Sequence, residues 1–463
     1  MPNFKTLDYV CAWYIKAVKF LSSEASPLDV RKSYAFPADP PLASGGSAAG
    51  RRHSLEESGK NDGEAELRRT SSGKAAEVRV AFVSTNSITQ GEQVGILWSY
   101  LFGKKTKIHF AHRTFKWSNE ASGKAGVYCV IIGFGLQDVK IKRLFDYLTP
   151  KSEPQEIVCS NINPYLVDAA DIIISSRSIP ISKVPEIVFG SKPVDGGYLI
   201  LDELERSELL SAEPACRKFI LPMMGAHEFI NGSKRYCIWL KDANPTEWRG
   251  LAQITRRVRD VREFRLKSKK LPTVKLAEFP YLFAEIRQPV SDYVIIPLHS
   301  SESRKYVPIG FLPSSVIYNN SCAGIPNATL FHFAVLTSLM HNAWMRQVCG
   351  RLESRYRYSN NLVYNNFPWP ENPSEKQIAV IETAAERVLD ARSEFPNSSL
   401  ADLYDPLTMP PALVKAHNDL DRAVDLAYRP QPFTTEAGRM VFLFELYEKY
   451  TAGLFVTTKK KKK

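Results

Sequence analysis

The chain has 463 residues, enough for two or three domains with separate hydrophobic cores. Hydrophobic residues make up 44% and charged residues 24%, as in soluble globular proteins, and no apolar run reaches the roughly eighteen residues of a membrane span. We therefore expect a cytoplasmic protein without membrane contact. The net charge of +12 favours a polyanionic partner, and the chain stays basic without its terminal lysine run.

The first 150 residues predict part of an α/β sheet. Residues 6–22 have apolar side chains at helical spacing and predict an amphipathic helix. Residues 37–76 are rich in Pro, Gly, Ser and charged residues, so we expect a disordered insertion. From residue 78 onward, VRVAFVS, KIHFA and AGVYCVIIGF predict strands, and GEQVGILWSYLF predicts a helix.

The remaining sequence predicts two further domains. Residues 151–370 contain short β-like runs with many prolines and aromatic residues, which indicates a mixed α+β domain. Residues 371–456 predict three helices, and the spacing of Ser374 and Gln377 is that of a capping box. Residues 457–463 form a lysine-rich tail that we expect to be disordered.

Neither the cysteines nor the histidines predict a metal site. The seven cysteines are scattered without C-x-x-C spacing, which suggests buried, reduced thiols. The eight histidines form no H-x-x-x-H or H-E-x-x-H set. Neither a zinc site nor a Ser-His-Asp triad with a nucleophile elbow is expected.

Two groups of residues are candidates for binding sites, the first for an unspecified ligand and the second for DNA. Phe115 and Trp117 are expected in a loop at a strand end, where ligands bind in open α/β sheets. The alternative is that both rings simply cover one end of the sheet. In QITRRVRDVREFRLKSKK, arginines recur every three residues and predict a stripe that follows a phosphate backbone: Arg256, Arg259, Arg262 and Arg265. The alternative is a solvated helix face with local pairing to Asp260 and Glu263.

FVSTNSITQGEQV and HFAHRTFKWSNEA–GKAGVYCVIIGF resemble the methyltransferase domain of the MmeI-like restriction–modification enzymes, and the similarity continues to about residue 455. This resemblance implies the back part of a DNA adenine-N6 methyltransferase. The expected architecture is a partial Rossmann-like sheet, a target-recognition domain and a helical C-terminal domain. It also implies S-adenosylmethionine as cofactor and double-stranded DNA as partner. Phe115, or as second choice Trp117, would stack on the adenine flipped out of the duplex.

The resemblance also assigns DNA contacts within the recognition domain. HSSESRKYVPIGF resembles a segment in which an acidic and a basic side chain read base edges, here Glu302 and Arg304. On a strand, residues 302 and 304 would face the same side; the alternative is a surface ion pair. The run WMRQVCGRLESRYRYSNNLVYNNFPWP suits phosphate contacts by four arginines: Arg346, Arg351, Arg355 and Arg357.

The cofactor and catalytic motifs of such an enzyme are expected before residue 7, outside this chain. Asp39-Pro40-Pro41-Leu42 resembles the catalytic tetrad, but leucine replaces the aromatic residue and no apolar strand precedes it. Gly133-Phe134-Gly135 follows a strand, yet a single G-x-G is weak and the next residues lack small side chains. Three hypotheses remain: a truncated methyltransferase, one half of a split enzyme completed by an upstream polypeptide, and a DNA-binding module without catalysis. We expect the isolated chain to be inactive in methyl transfer.

Overall fold

The computed structural model describes residues 4–22, 79–117, 127–147, 149 and 152–452. The predicted insertion at 37–76, the lysine tail at 457–463 and the motif Asp39-Pro40-Pro41-Leu42 lie outside the described residues.

The first part of the chain forms a five-stranded sheet with two helices. Its elements are α1 (Cys11–Ser22), β1 (Val80–Thr85), α2 (Gly91–Gly103), β2 (Lys107–Trp117), β3 (Val127–Gly135), β4 (Lys142–Tyr147) and β5 (Pro154–Cys159), with 3₁₀ turns at Phe4–Thr6 and Asn86–Thr89. The strand order is β1-β3-β2-β4-β5; β3 is antiparallel to both neighbours and β2 is parallel to β4. The predicted α/β arrangement and the antiparallel β2–β3 hairpin are confirmed, whereas the Rossmann-like class of the sheet remains a prediction. Pairing of β4 with β5 extends the sheet past residue 150.

Both helices pack on one face of this sheet through an aromatic cluster. Tyr14 of α1 is fully buried, and its ring centroid lies 5.1 Å from that of Phe82 and 5.3 Å from that of Phe134. Its hydroxyl lies 2.7 Å from the Oγ atom of Ser84. The polar tip of this buried ring therefore keeps a hydrogen-bond partner, as buried tyrosines generally do.

The middle of the chain forms three small sheets and several short helices. Its elements are β6 (Val188–Phe189), β7 (Ile200–Leu201), α3 (Glu203–Ala212), β8 (Ile220–Met224), α4 (Ala226–Asn231), β9 (Tyr236–Ile238), α5 (Pro245–Trp248), α6 (Ala252–Leu266), α7 (Leu271–Lys275), β10 (Tyr293–Pro297), β11 (His299–Ser300), β12 (Gly310–Leu312), β13 (Ile317–Tyr318), β14 (Cys322–Pro326), α8 (Leu330–Thr337), α9 (Leu339–Val348), β15 (Gly350–Leu352) and β16 (Arg355–Arg357), with 3₁₀ turns at Pro214–Phe219 and Leu276–Glu278 and a π-helical turn at Asn360–Tyr364. The sheet orders are β12-β10-β14-β6, β13-β8-β9-β7 and β11-β16-β15. This mixture of strands and helices confirms the predicted α+β character.

The part of the middle domain around α6 has a core of its own. Ile254, Val258 and Val261 point from α6 into a cluster of buried side chains drawn from residues 199–317. We call this unit, residues 195–283, the α6 lobe. A larger continuous core joins the first sheet, the β10–β14 sheet and the C-terminal helices, and it includes Val130, Ile296 and Leu420. The α6 lobe is therefore a separately packed unit on a larger body.

The C-terminal region is helical, as predicted. Its helices are α10 (Glu375–Ser393), α11 (Leu400–Leu403), α12 (Pro411–Tyr428) and α13 (Glu436–Thr451). The predicted capping box is confirmed, because the side chains of Ser374 and Gln377 each accept from the other's backbone N–H. A buried ion pair between Arg439 and Asp425 joins α13 to α12.

Candidate nucleic-acid interface

A cleft of about 670 Å³ lies between the first sheet and the middle domain. One wall is the turn after β1 with the start of α2, residues 86–93; the other includes β15, β16 and residues around Lys192 and Arg287. Its charged side chains have both signs: Asp8, Glu92, Lys192, Glu285, Arg287, Arg351, Glu353 and Arg357. This interdomain cleft is therefore suited to a polar ligand with many hydrogen-bonding groups.

Two glycines that line the interdomain cleft, Gly91 and Gly350, are in backbone contact. Gly91 has a φ of +60°, and a Cβ atom added to it would lie 2.9 Å from the Cα of Gly350. Beside this contact, Arg351 Nε donates to the side-chain oxygen of Gln90 at 3.1 Å. The first turn of α2 is thereby pressed against β15, and only glycine fits this conformation and approach.

The small sheet β11-β16-β15 concentrates positive charge beside the cleft. Arg355 and Arg357 are exposed and two residues apart on β16, so they project from one face, while Tyr356 between them is buried. The guanidinium of Arg351 lies over the Tyr356 ring at 4.2 Å. Burial, with the charges of Arg357 and Arg355, lowers the pKa of His299, so this imidazole stays neutral near pH 7.

Glu302 and Arg304 lie in a turn and not on a strand, so the condition for a shared face is not met. Strand β11 ends at Ser300, and the backbone N–H of Arg304 donates to the carbonyl of Ser301 at 3.3 Å. Strand alternation therefore cannot align the two side chains. They are still close in sequence on a turn that directly follows the small sheet, and we call residues 301–306 the readout turn.

The environments of the two side chains differ. Burial would raise the pKa of Glu302, but a hydrogen bond from Ser354 and the charge of Arg351 outweigh it and lower that pKa. Burial lowers the pKa of Arg304, partly offset by Asp405. The Nε atom of Arg304 is buried and has no hydrogen-bond partner within the part of the chain that the structure describes. The predicted alternative of an ion pair between the two is not seen among the described residues.

The arginines of α6 do not form the predicted stripe. Arg256, Arg259 and Arg262 are exposed, whereas Arg265 is only 1% exposed. An α-helix turns by about 100° per residue, so a three-residue repeat rotates by about 60° per step and by about 180° over three steps. The last arginine of the repeat therefore faces the lobe core.

Arg265 is a structural residue. Its guanidinium donates to five backbone carbonyls at 2.7–3.0 Å: Pro193, Val194, Leu276, Phe279 and Leu282. This side chain cannot reach a phosphate in the observed structure, so its predicted DNA contact is wrong.

Arg346 is likewise engaged within the protein. It makes two hydrogen bonds to the carboxylate of Glu436 on α13, at 2.6 and 2.9 Å, and a third to the carbonyl of Lys305 at 2.7 Å. The predicted phosphate contact is therefore replaced by a bridge between α9, α13 and the readout turn.

The predicted base-stacking aromatics lie on strand β2, not in a loop. Phe115 pairs with Cys129 and Trp117 with Val127 across the β2–β3 hairpin, after a register shift beyond His112. The Phe115 ring stacks on Tyr147 with centroids 5.4 Å apart, and it is partly buried. Trp117 is 48% exposed at the end of the strand, so it offers the more open ring.

Three further observations concern cofactors, metals and membranes. Gly133 of the G-x-G motif lies under the ring of Phe110, because an added Cβ would lie 2.1 Å from a carbon of that ring. This packing explains the glycine, and the motif opens no helix in the structure.

Within the described ranges no cluster of three potential metal ligands occurs. None of the helices that the structure describes is long and apolar enough to span a bilayer.

Three family models match consecutive parts of the chain. They are the MmeI DNA-methyltransferase domain over residues 67–146, the MmeI target recognition domain over 168–371 and the MmeI C-terminal domain over 373–455. The chain belongs to the MmeI family. It is 40% identical over 374 residues to DNA methyltransferase A of Bacillus subtilis (strain 168), a match that covers 81% of this chain and 42% of that protein.

A solved structure of this family supports the same assignment. The type IIL restriction–modification enzyme MmeI, in complex with DNA, aligns with a TM-score of 0.75 and 50% identity over 81% of this chain and 50% of that chain. The chain thus spans about half the length of the MmeI-family relatives it matches. The MmeI recognition-domain match contains the α6 lobe, the readout turn and β15–β16, and the methyltransferase match contains Phe115 and Trp117.

Several residues of the site were not predicted from the sequence. Gly91 and Gly350 are in contact although they are 259 residues apart in the sequence, and Gln90 and Arg351 are hydrogen-bonded although they are 261 residues apart. Lys192 and Arg287 also line the cleft. Each of these residues is defined by a tertiary contact, so the local sequence does not mark its role; only Gly91 has a weak local signal, as an isolated glycine after a strand.

Proposed function

We propose that this chain is the sequence-recognition and base-stacking part of a site-specific DNA adenine-N6 methyltransferase of a restriction–modification system, acting on DNA in the cytoplasm. The observation that carries the proposal is the arginine-rich sheet β11-β16-β15 and its readout turn, beside the interdomain cleft and within a match to the MmeI target recognition domain. A relative of 50% identity, MmeI itself, has been solved in complex with DNA.

Direct base readout is assigned to Glu302 and Arg304. A guanidinium can give two hydrogen bonds to guanine, and a carboxylate can accept from the amino group of cytosine. The low pKa of Glu302 supports this role, because the carboxylate is then an acceptor at neutral pH.

Phosphate contacts are assigned to arginines of the recognition domain that are exposed or, in the case of Arg351, half-buried. Those on the small sheet are Arg355 and Arg357, with Arg351 beside them; those on α6 are Arg256, Arg259 and Arg262. Such contacts contribute affinity that falls with salt and carry no sequence information.

Base stacking is assigned to Trp117, with Phe115 behind it. An adenine taken out of the duplex loses its neighbours, and a flat side chain replaces that stacking. The half-exposed Trp117 ring can cover a base, whereas Phe115 already stacks on Tyr147.

We expect the S-adenosylmethionine site to lie outside the described residues. Two glycines of the first sheet and its helices are packed against protein: Gly91, at the start of α2, against the backbone of Gly350, and Gly133, inside β3, against the Phe110 ring. The cofactor pocket and the catalytic motif would then come from outside these residues, for example from an upstream polypeptide that adds a strand beside β1, an edge strand of its sheet. The alternative is a specificity module that does not catalyse.

Calorimetry of the purified chain tests the cofactor proposal. We expect no S-adenosylmethionine binding, with or without duplex DNA, together with DNA affinity that falls with salt. Micromolar cofactor binding would contradict it and would direct attention to Asp39-Pro40-Pro41, outside the described residues.

Arg304 variants test the readout assignment. Arg304→Ala should relax discrimination at one base pair by roughly 1–3 kcal/mol. The matched control Arg357→Ala should weaken binding to all sequences equally and reduce the salt dependence. An equal loss for every sequence with Arg304→Ala would identify a phosphate contact and refute the assignment.

A further inference from the structure

The readout turn is attached to the C-terminal helical domain by a buried tyrosine. Tyr306 is 2% exposed, and its hydroxyl donates to the Oδ2 atom of Asp421 on α12 at 2.7 Å. Its ring stacks on His417 of the same helix, with centroids 4.0 Å apart and planes 21° apart. The residue two positions after Arg304 is therefore fixed by both its ring and its hydroxyl.

Asp421 connects this tyrosine to a second element. Its other oxygen, Oδ1, accepts from the backbone N–H of Leu339, the first residue of α9, at 2.7 Å. The carboxylate thus joins the readout turn, α9 and α12. It is 5% exposed and makes no ion pair within the part of the chain that the structure describes.

Three neighbouring contacts hold the end of the readout turn and the residues that follow it. Arg346 donates to the carbonyl of Lys305 at 2.7 Å, and the side-chain oxygen of Asn342 accepts from the N–H of Val307 at 2.9 Å. Arg392 of α10 donates to the carbonyl of Ile309 at 2.6 Å. On its other side the turn follows β11, which pairs with β16. The turn is thus held between the small sheet and the helical domain.

A buried carboxylate is a costly way to stabilise a fold. Removing a carboxylate from water is unfavourable, and apolar replacements of buried charged groups are often neutral or stabilising. A carboxylate that accepts two directed hydrogen bonds does, however, fix two elements at a defined separation, which an apolar side chain does not.

We infer that Tyr306 and Asp421 are positioning residues for base readout: through their hydrogen bond the C-terminal helical domain holds the readout turn so that Arg304 meets one base pair. This inference rests on the proposed function. The helical domain then acts in sequence specificity without itself touching a base.

The test compares tyrosine variants that each lose one hydrogen-bonded hydroxyl. Tyr306→Phe removes the bond to Asp421. Tyr428→Phe is the matched control, because the Tyr428 hydroxyl donates to the carbonyl of Pro368 at 3.0 Å and contacts no residue of the readout turn. The full chain is titrated with a preferred duplex and with a duplex altered at the base pair to which Arg304 responds, over a range of salt concentrations.

The discrimination ratio is the affinity for the preferred duplex divided by the affinity for the altered duplex. Tyr306→Phe should reduce this ratio by about fivefold to tenfold, which is part of the loss expected for Arg304→Ala. The salt dependence of binding should stay unchanged. Tyr428→Phe should leave the ratio unchanged. Asp421→Asn can keep both contacts, because its amide oxygen can accept from the Leu339 N–H while its amide nitrogen donates to the Tyr306 hydroxyl oxygen, and it should retain most of the discrimination. In an Arg304→Ala background, Tyr306→Phe should have no further effect on the ratio, because both act on one contact.

The outcomes separate the two proposals. If Arg304→Ala relaxes discrimination but Tyr306→Phe does not, or if Tyr428→Phe relaxes it equally, the positioning role is overturned while the readout by Arg304 stands. If Arg304→Ala leaves discrimination intact, the readout assignment fails, and the positioning role fails with it.

Discussion

Replacing Arg265 should disrupt the α6 lobe and not DNA binding directly. Arg265→Met keeps a long apolar side chain but removes the donors for five buried carbonyls. An unsatisfied buried polar group costs about 1–3 kcal/mol, and breaking a buried charged network costs about 3–5 kcal/mol. Because water can enter and satisfy some carbonyls, we expect a loss of roughly 3–5 kcal/mol.

Hydrogen exchange is the suitable assay, because the α6 lobe has its own core and can open separately from the rest of the chain. Amides of the lobe should exchange about a hundredfold to several thousandfold faster in Arg265→Met, which corresponds to that loss. Arg262→Met, exposed on the same helix, is the control and should exchange like the parent while binding DNA more weakly. Parent-like exchange in Arg265→Met combined with weakened DNA binding would refute the structural role.

Three further predictions concern the interface, acid stability and phosphate contacts. Gly91→Ala should destabilise the chain and separate α2 from β15. The control Gly103→Ala should not, because a Cβ added there would meet no atom within 4 Å. Equal thermal stability of the two variants would contradict this prediction. Burial lowers the pKa of His341 to about 3, below the ordinary value of 6.5, so its stabilising contribution is present above pH 6.5 and is lost as the pH falls toward 3. Urea unfolding measures the free energy of unfolding at each pH, and this free energy should fall on acidification in the parent. The slope should be steeper than that of His341→Gln by up to about 1.4 kcal/mol per pH unit. Parallel pH curves for the two proteins would contradict this prediction. In a plot of the logarithm of DNA affinity against the logarithm of salt concentration, Arg355→Ala should reduce the magnitude of the slope by about 1. An unchanged slope would exclude a phosphate contact.

Helices and strands that follow from local sequence periodicity were predicted correctly. The C-terminal helices follow from apolar spacing, the capping box at Ser374 and a proline at the first position of α12. The long apolar run of β3 indicated a buried strand, and the structure gives it a central position between two neighbours. In these elements the local preference and the tertiary environment agree.

Predictions failed where tertiary structure decides what a side chain does. The arginine repeat of α6 carries no sign of which arginine faces the core; five carbonyls from distant segments determine that it is Arg265. The turn at 302–304 was missed because HSSESRKYV has no Gly or Pro to mark it. The partners of Arg346 and Tyr306 lie on helices α13 and α12, far along the chain, so their roles could not be inferred from their own surroundings.

Selection of bound duplexes from a pool of random sequences tests the central claim most directly. The full chain is incubated with the pool at moderate salt, bound duplexes are recovered over several rounds, and they are sequenced. A chain that reads DNA through Glu302 and Arg304 should enrich one defined motif, and Arg304→Ala should lose preference at one position of it. Salt-sensitive binding without any enriched motif would contradict sequence recognition and leave only a nonspecific basic surface.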